Sequence, residues 1–248
     1  MNVEELIRDT NFENVQNKAM LVGDLIEIEE TGIYAGIEQV IVLVETTRRG
    51  GKRHFALAVM PKCEDTDRLV ENKARVFIEG YIATSFNFNS YMTKHQFVVP
   101  NRVVELEKNY EPRDMEDFYL NYTLLNRVVM QGVVHTNPSE LYIEKTGLYI
   151  YKFKLRYMDV GGREKTVNCD MWETVNDLPD LRKDMNIRVV GGFEIRNEKV
   201  LSMMGEKVGN SKDGNRGKET SYKILVQKIF DLNKYPEDVA SNLFESKE

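Results

Sequence analysis

The sequence repeats itself, and that repetition limits what it can fold into. "NKAMLVGDL" at 17–25 and "NRVVMQGVV" at 126–134 share one pattern: Asn, a cation, mostly apolar residues, then Gly six positions after the Asn. Gly23 and Gly132 are 109 residues apart. Three more matches follow in the same order. "RRGGKRH" (48–54) and "DVGGREK" (159–165) each lie between runs rich in β-branched and aromatic residues, which signals a hairpin. "ARVFIEGYIAT" (74–84) matches "NIRVVGGFEIR" (186–196), aligning Gly80 with Gly192. "VVELEKN" matches "KIFDLNK", aligning Leu106 with Leu232. Four features in one order predict a duplicated domain of about a hundred residues.

Each copy reads as a strand, a long Gly-Gly hairpin, a short helical segment or loop, a strand, a variable loop and a last strand. The helical segments are expected at "CEDTDRLVENK" (63–73) and "VNDLPDLRKDM" (175–185), with others in the connector and after Pro236. Five strands with a short helix between the third and fourth is the plan of an OB-fold. Gly23 and Gly132 suit the sharp bend of a first strand shared by two sheets. The expected class is therefore all-β: two tandem OB-folds, each a five-stranded Greek-key barrel. The expected domains are 1–111 and 125–248, with 112–124 as connector.

Composition excludes some classes. No apolar run approaches the roughly 20 residues of a membrane helix, and the acidic, polar start does not read as a secretory signal. Cys63 and Cys169 have no CxxC or Cys/His partner, so they read as reduced thiols in a cytoplasmic protein. No metal or cofactor is expected. His54, His95 and His135 lie in separate segments, and no GxSxG, HExxH or Walker A pattern occurs, so catalysis is not expected. The net charge of −6 is uneven: residues 125–234 carry 19 cations and 15 anions, while the ends and the connector hold the acidity.

"NRVVMQGVV", "YKFKLRYMDVGGREKTVNCDMWE", "DMNIRVVGGFEI" and "YKILVQKIFDL" resemble, in order and spacing, the bacterial single-stranded DNA-binding protein family. The resemblance covers 125–233 well and 16–108 less well. It implies a sequence-independent binder of single-stranded DNA, acting in replication, recombination or repair. The chain departs from the usual family pattern in carrying two barrels, as some members do, and in ending "YPEDVASNLFESKE", without an acidic Pro-Phe tip. An OB-fold assembly factor of a primosome-like or conjugation complex, acting through protein contacts, is the alternative.

Single strands are held by cations along the phosphates and by aromatics that stack on bases. In "GLYIYKFKLRYM", alternation places Tyr149, Tyr151, Phe153, Leu155 and Tyr157 on the barrel-core face and Lys152, Lys154 and Arg156 outward. Arg163 and Lys165 follow on the hairpin. If Val167, Cys169 and Met171 point inward, Trp172 points outward beside the cations as a stacking platform. A buried Trp closing the barrel is the other reading. In the Gly-rich loop 205–218, Lys207, Lys212, Arg216 and Lys218 are expected on phosphates. In the first copy, Arg49, Lys52 and Arg53 on the hairpin are expected on DNA, together with Phe86, Phe88, Tyr91 and Lys94 in the loop 85–97; docking of that loop on a partner subunit is the other reading. Its second strand presents Ile41 and Leu43 outward, with Phe55, Leu57 and Val59 beside them. An apolar face of that kind predicts a homodimer of four barrels.

Overall fold

The computed structural model describes residues 16–47, 53–85, 88, 95–107, 125–173, 180–205 and 220–233. The first copy holds β1 (Asn17–Tyr34), β2 (Ile37–Thr47), β3 (Arg53–Pro61), α1 (Glu64–Glu71), β4 (Arg75–Ser85) and β5 (His95–Glu105). The second holds β6 (Asn126–Val134), β7 (Ser139–Ile143), β8 (Leu148–Met158), β9 (Glu164–Trp172), β10 (Asn186–Arg196), α2 (Glu198–Met203) and β11 (Ser221–Asp231). By compactness the chain forms two units. One is Ala19–Asn126 with Phe193–Tyr222; the other is Met1–Lys18, Arg127–Gly192 and Lys223–Glu248.

Strand pairing closes each copy into a ring. β1 pairs with β2, β2 with β3, β3 with β5, β5 with β4, and β4 with β1. All are antiparallel except β3–β5. The second ring runs β6–β8–β9–β11–β10–β6, and again its third and fifth strands, β9 and β11, are parallel. This is the OB-fold order in both copies.

The glycines of the first strands lie where the ring closes. A Cβ on Gly23 would overlap the carbonyl oxygen of Glu45, and one on Gly132 that of Arg156. The requirement is close backbone approach between first and second strands. A Cβ on Gly80 would meet the carbonyl of Val99, and one on Gly191 that of Leu225. Gly191, not Gly192, is thus the counterpart of Gly80. Leu106 and Leu232 are true equivalents: their amides donate to the carbonyls of Arg75 and Asn186 at 2.8 and 3.0 Å.

The copies differ in their first hairpin. β1 runs unbroken into a tight turn at Ala35–Gly36, both at positive φ. In the second copy the strand breaks at "HTNP" and resumes as β7, which pairs along β8. Pro138 has no N–H to give a ladder, which accounts for the interruption.

α1 forms within the expected 63–73, burying Thr66, Leu69 and Val70, with Glu64, Asp65 and Asp67 favourable at its N-terminal turn. The second expected helix is absent at 180–185; residues 174–179, the connector 112–124 and the chain after Pro236 lie outside the described residues. α2 was not expected. Its signal is Asn197, whose side-chain oxygen caps the helix by accepting from the Val200 amide at 2.8 Å.

The apolar face expected on the first barrel is not exposed. Val40 through Val44 are each at most 1% exposed, and Phe55, Leu57 and Val59 are buried. β2 and β3 are therefore covered on both sides, and a continuous apolar run is what such strands require. Ile41 and Leu43 supply no dimer surface.

Candidate nucleic-acid interface

In the second barrel the hairpin loop orients the strands that carry the candidate residues. Asp159 Oδ1 accepts from the amides of Gly161 and Arg163 at 2.9 and 2.8 Å, and Gly162 sits at φ 70°. That Asx turn sets the register of β8 and β9, in which Lys152 faces Asp170, Lys154 faces Asn168 and Arg156 faces Thr166. Val167, Cys169 and Met171 point into the core, and burial pushes the Cys169 thiol up. Lys152, Lys154 and Arg156 consequently lie on the outward side with the half-buried Trp172, which pairs across from Ile150.

The electrostatics of this face favour an anion. Asp170 is the one carboxylate among those three cross-strand partners, and Lys223 of β11 binds its Oδ2 at 2.7 Å. Lys152 and Lys154 are exposed and make no side-chain ion pair among the described residues. Arg156 lies 3.7 Å from Glu164, and the exposed Arg163 lies 3.6 Å from Asp159. Lys165 is half-buried on the same hairpin.

The aromatic row on the other side of β8 is only partly core. Phe153, Leu155 and Tyr157 are buried, but Tyr151 is half-buried and Tyr149 is 40% exposed. β8 extends beyond the barrel there, paired with β7, and the Tyr149 ring lies 5.0 Å from that of Tyr142. The missed signal was "SELYIEKTGLYIYK", a hairpin with Gly147 at its turn.

In the first unit the one polar candidate among the described residues, Arg53, is engaged by its neighbours. Arg53 grips Glu45 through Nε and Nη2 at 2.5 and 2.6 Å, and its Nη1 donates to the Met203 carbonyl at 2.8 Å. Phe88 is 2% exposed, packed edge-on against His95 and Phe97, and its carbonyl accepts from the Ile33 amide at 2.9 Å. It is a core residue, not the stacking platform expected. Arg49, Lys52, Phe86, Tyr91, Lys94, Lys207, Lys212, Arg216 and Lys218 lie outside the described residues.

Two histidines are structural. His54 Nδ1 pairs with Glu194 Oε1 in a buried contact. His95 Nε2 lies 3.0 Å from Glu30 Oε2, and its Nδ1 lies 3.3 Å from the Tyr222 hydroxyl. Burial raises the Glu30 carboxyl and lowers His95, so removal from water governs both. Among the described residues no group of three or more His, Cys, Asp or Glu could hold a metal ion. No helix among them is long and apolar enough to cross a membrane.

No protein-family model matches the chain, and no curated protein matches it significantly. Solved structures do. The wild-type single-stranded DNA binding protein from Thermus aquaticus aligns over 87% of this chain and 92% of its own, with TM-score 0.54 and 12% identity. A deletion mutant of the same Thermus aquaticus protein gives the same TM-score and identity, over 87% and 93%. This chain has their fold. At 12% identity the correspondence is one of strand order and closure, and the chemistry of the face must be argued from the residues of this chain.

That chemistry makes one prediction here. Trp172 fluorescence should be quenched when oligo-dT binds, because a stacked base opens a non-radiative path. Tight binding without quenching would show that Trp172 does not touch bases.

Proposed function

We propose that this chain binds single-stranded DNA without sequence preference and without catalysis, through the outward face of β8 and β9. The supporting observation is the exposed pair Lys152 and Lys154, whose facing carboxylate, Asp170, is already bound by Lys223. Cations held on a rigid strand, with an aromatic beside them, suit a phosphate backbone and its splayed bases. The Thermus aquaticus proteins of the same fold are described as single-stranded DNA binding. Arg163, Lys165 and the basic loop residues Lys207, Lys212, Arg216 and Lys218 extend the reading along the strand. So do Arg49, Lys52, Phe86, Tyr91 and Lys94 of the first copy. The domains proposed are 1–111 and 125–248 around the connector 112–124, and the setting is cytoplasmic replication, recombination or repair.

One observation favours the assembly-factor reading. Ile33 and Ile37, at the tip of the β1–β2 hairpin, are 62% and 60% exposed, which suits a protein contact. Anisotropy of a labelled oligo-dT at two salt concentrations separates the two. A single-strand binder holds it well below micromolar at low salt and weakens steeply as salt rises. Weak binding with no salt slope would favour the assembly factor.

A further inference from the structure

The outward side of the second and third strands differs in chemistry between the copies. Thr47–Arg53 and Met158–Glu164 close loops of equal length, which fixes the equivalence of the strands they join. Ile41, Leu43 and Glu45 then stand where the second copy has Lys152, Lys154 and Arg156. Phe55, Leu57 and Val59 stand where it has Thr166, Asn168 and Asp170. The side has become apolar with acidic margins, since Glu27 pairs beside Leu43 and Glu45 pairs beside Phe55. Its cation, Arg53, is held by Glu45.

α2 lies on this side, within the unit formed by Ala19–Asn126 and Phe193–Tyr222. Lys199 Nζ is 2.6 Å from Glu27 and 3.0 Å from Glu29, both on β1. At the other end of the helix, the Met203 carbonyl accepts from Arg53 Nη1 at 2.8 Å. The same guanidinium lies 5.3 Å from the centre of the Phe55 ring. Val200, between these two ties, is fully buried. The helix therefore reaches from β1 to the start of β3, across the outward side of β2. Its six residues cannot hold a helix alone, because isolated helices shorter than about 12 residues are marginal in water. Docking keeps it folded.

We infer that the outward face of β2 and β3 is a docking face for α2 of the same chain, and that α2 closes it permanently to single strands. The two surfaces match in chemistry. Lys199 meets Glu27 and Glu29, a C-terminal carbonyl meets Arg53, and buried Val200 lies between them. A single strand would instead bring phosphates against Glu27, Glu29 and Glu45. Each chain thus offers a strand one open outward face, that of β8 and β9, and the first copy can add only its hairpin and loop residues. The docking of α2 stands by itself, while the statement of which face remains open rests on the DNA reading above.

Hydrogen exchange of the full chain, read by mass spectrometry with and without oligo-dT, tests both parts. In the wild type, 198–203 should keep its protection when oligo-dT is added. Lys199→Glu should set a third carboxylate against Glu27 and Glu29, and Val200→Asp should place a charge in the buried contact. Each should speed exchange at 198–203 about tenfold, with the circular dichroism of the strands unchanged. Each should also bind an apolar dye at the uncovered strip, without binding oligo-dT more tightly than the wild type. Wild-type protection of 198–203 in both variants would overturn the inference, because α2 would then not depend on this face. Loss of that protection when oligo-dT binds the wild type, or tighter oligo-dT binding by either variant, would overturn it too, by making α2 a displaceable lid. A wild type that does not bind oligo-dT would remove the DNA reading, and exchange in the two variants would still decide the docking of α2.

Discussion

Replacing Lys152 and Lys154 with Glu should weaken oligo-dT binding about 100-fold, a charge-assisted contact being worth at least about 1.5 kcal/mol at each site. The salt dependence should flatten as well. Removing one phosphate interaction lowers the slope of log K against log salt by about 0.7 for a single strand, so the pair should lower it by about 1.4. Both side chains are exposed on the outward side of β8, so folding should be unaffected. Lys223 is already engaged by Asp170, so it would not neutralise the new carboxylates. Isothermal titration at three salt concentrations measures affinity and slope together. Wild-type affinity in the double variant would remove this face from the interface.

The second large effect concerns the fold. Gly132→Ala should destabilise the second unit by about 3 kcal/mol, at the upper end for overpacking, because the obstruction is backbone and not a side chain that can rotate away. The added methyl would overlap the Arg156 carbonyl, next to the Val133–Arg156 and Val134–Leu155 pairs that close β6 on β8. Those two pairs are short closure for a five-stranded ring. Gly147→Ala is the control: its φ is 70° but nothing lies within 4 Å, so it should cost about 1 kcal/mol. Urea unfolding midpoints compare the two. A Gly132→Ala protein that unfolds like wild type would mean that the ring does not need this close approach.

Much of the architecture was legible because duplication doubles the signal. Thr47 pairs with Arg53 and Met158 with Glu164, so the Gly-Gly loops both hold five residues, as their matched sequences imply. The Leu106 and Leu232 match survived a long insertion because both amides close onto the start of the fourth strand of their copy. Errors arose where alternation failed as a guide. Ile41 and Leu43 read as outward, but Val40 through Val44 form an unbroken apolar run, which marks a strand covered on both sides and carries no alternation to follow. Tyr149 read as core because the pattern continues past the point where the barrel stops. Phe88 lay in a loop rich in Asn and Ser, which suggested exposure, yet its ring fills space against Phe97. The outward register of Lys152, Lys154 and Trp172 was readable because three buried residues, Val167, Cys169 and Met171, alternate with them across one regular hairpin.

The most direct test of the central claim is photo-crosslinking of a halogenated oligo-dT to the wild-type protein, with the attached peptides mapped by mass spectrometry. The account predicts crosslinks in β8 and β9, concentrated at 150–156 and 166–172 with Trp172 among them, and competed by unlabelled single strands but not by duplex. Crosslinks confined to β1 through β5, or crosslinks that duplex DNA removes equally well, would contradict it.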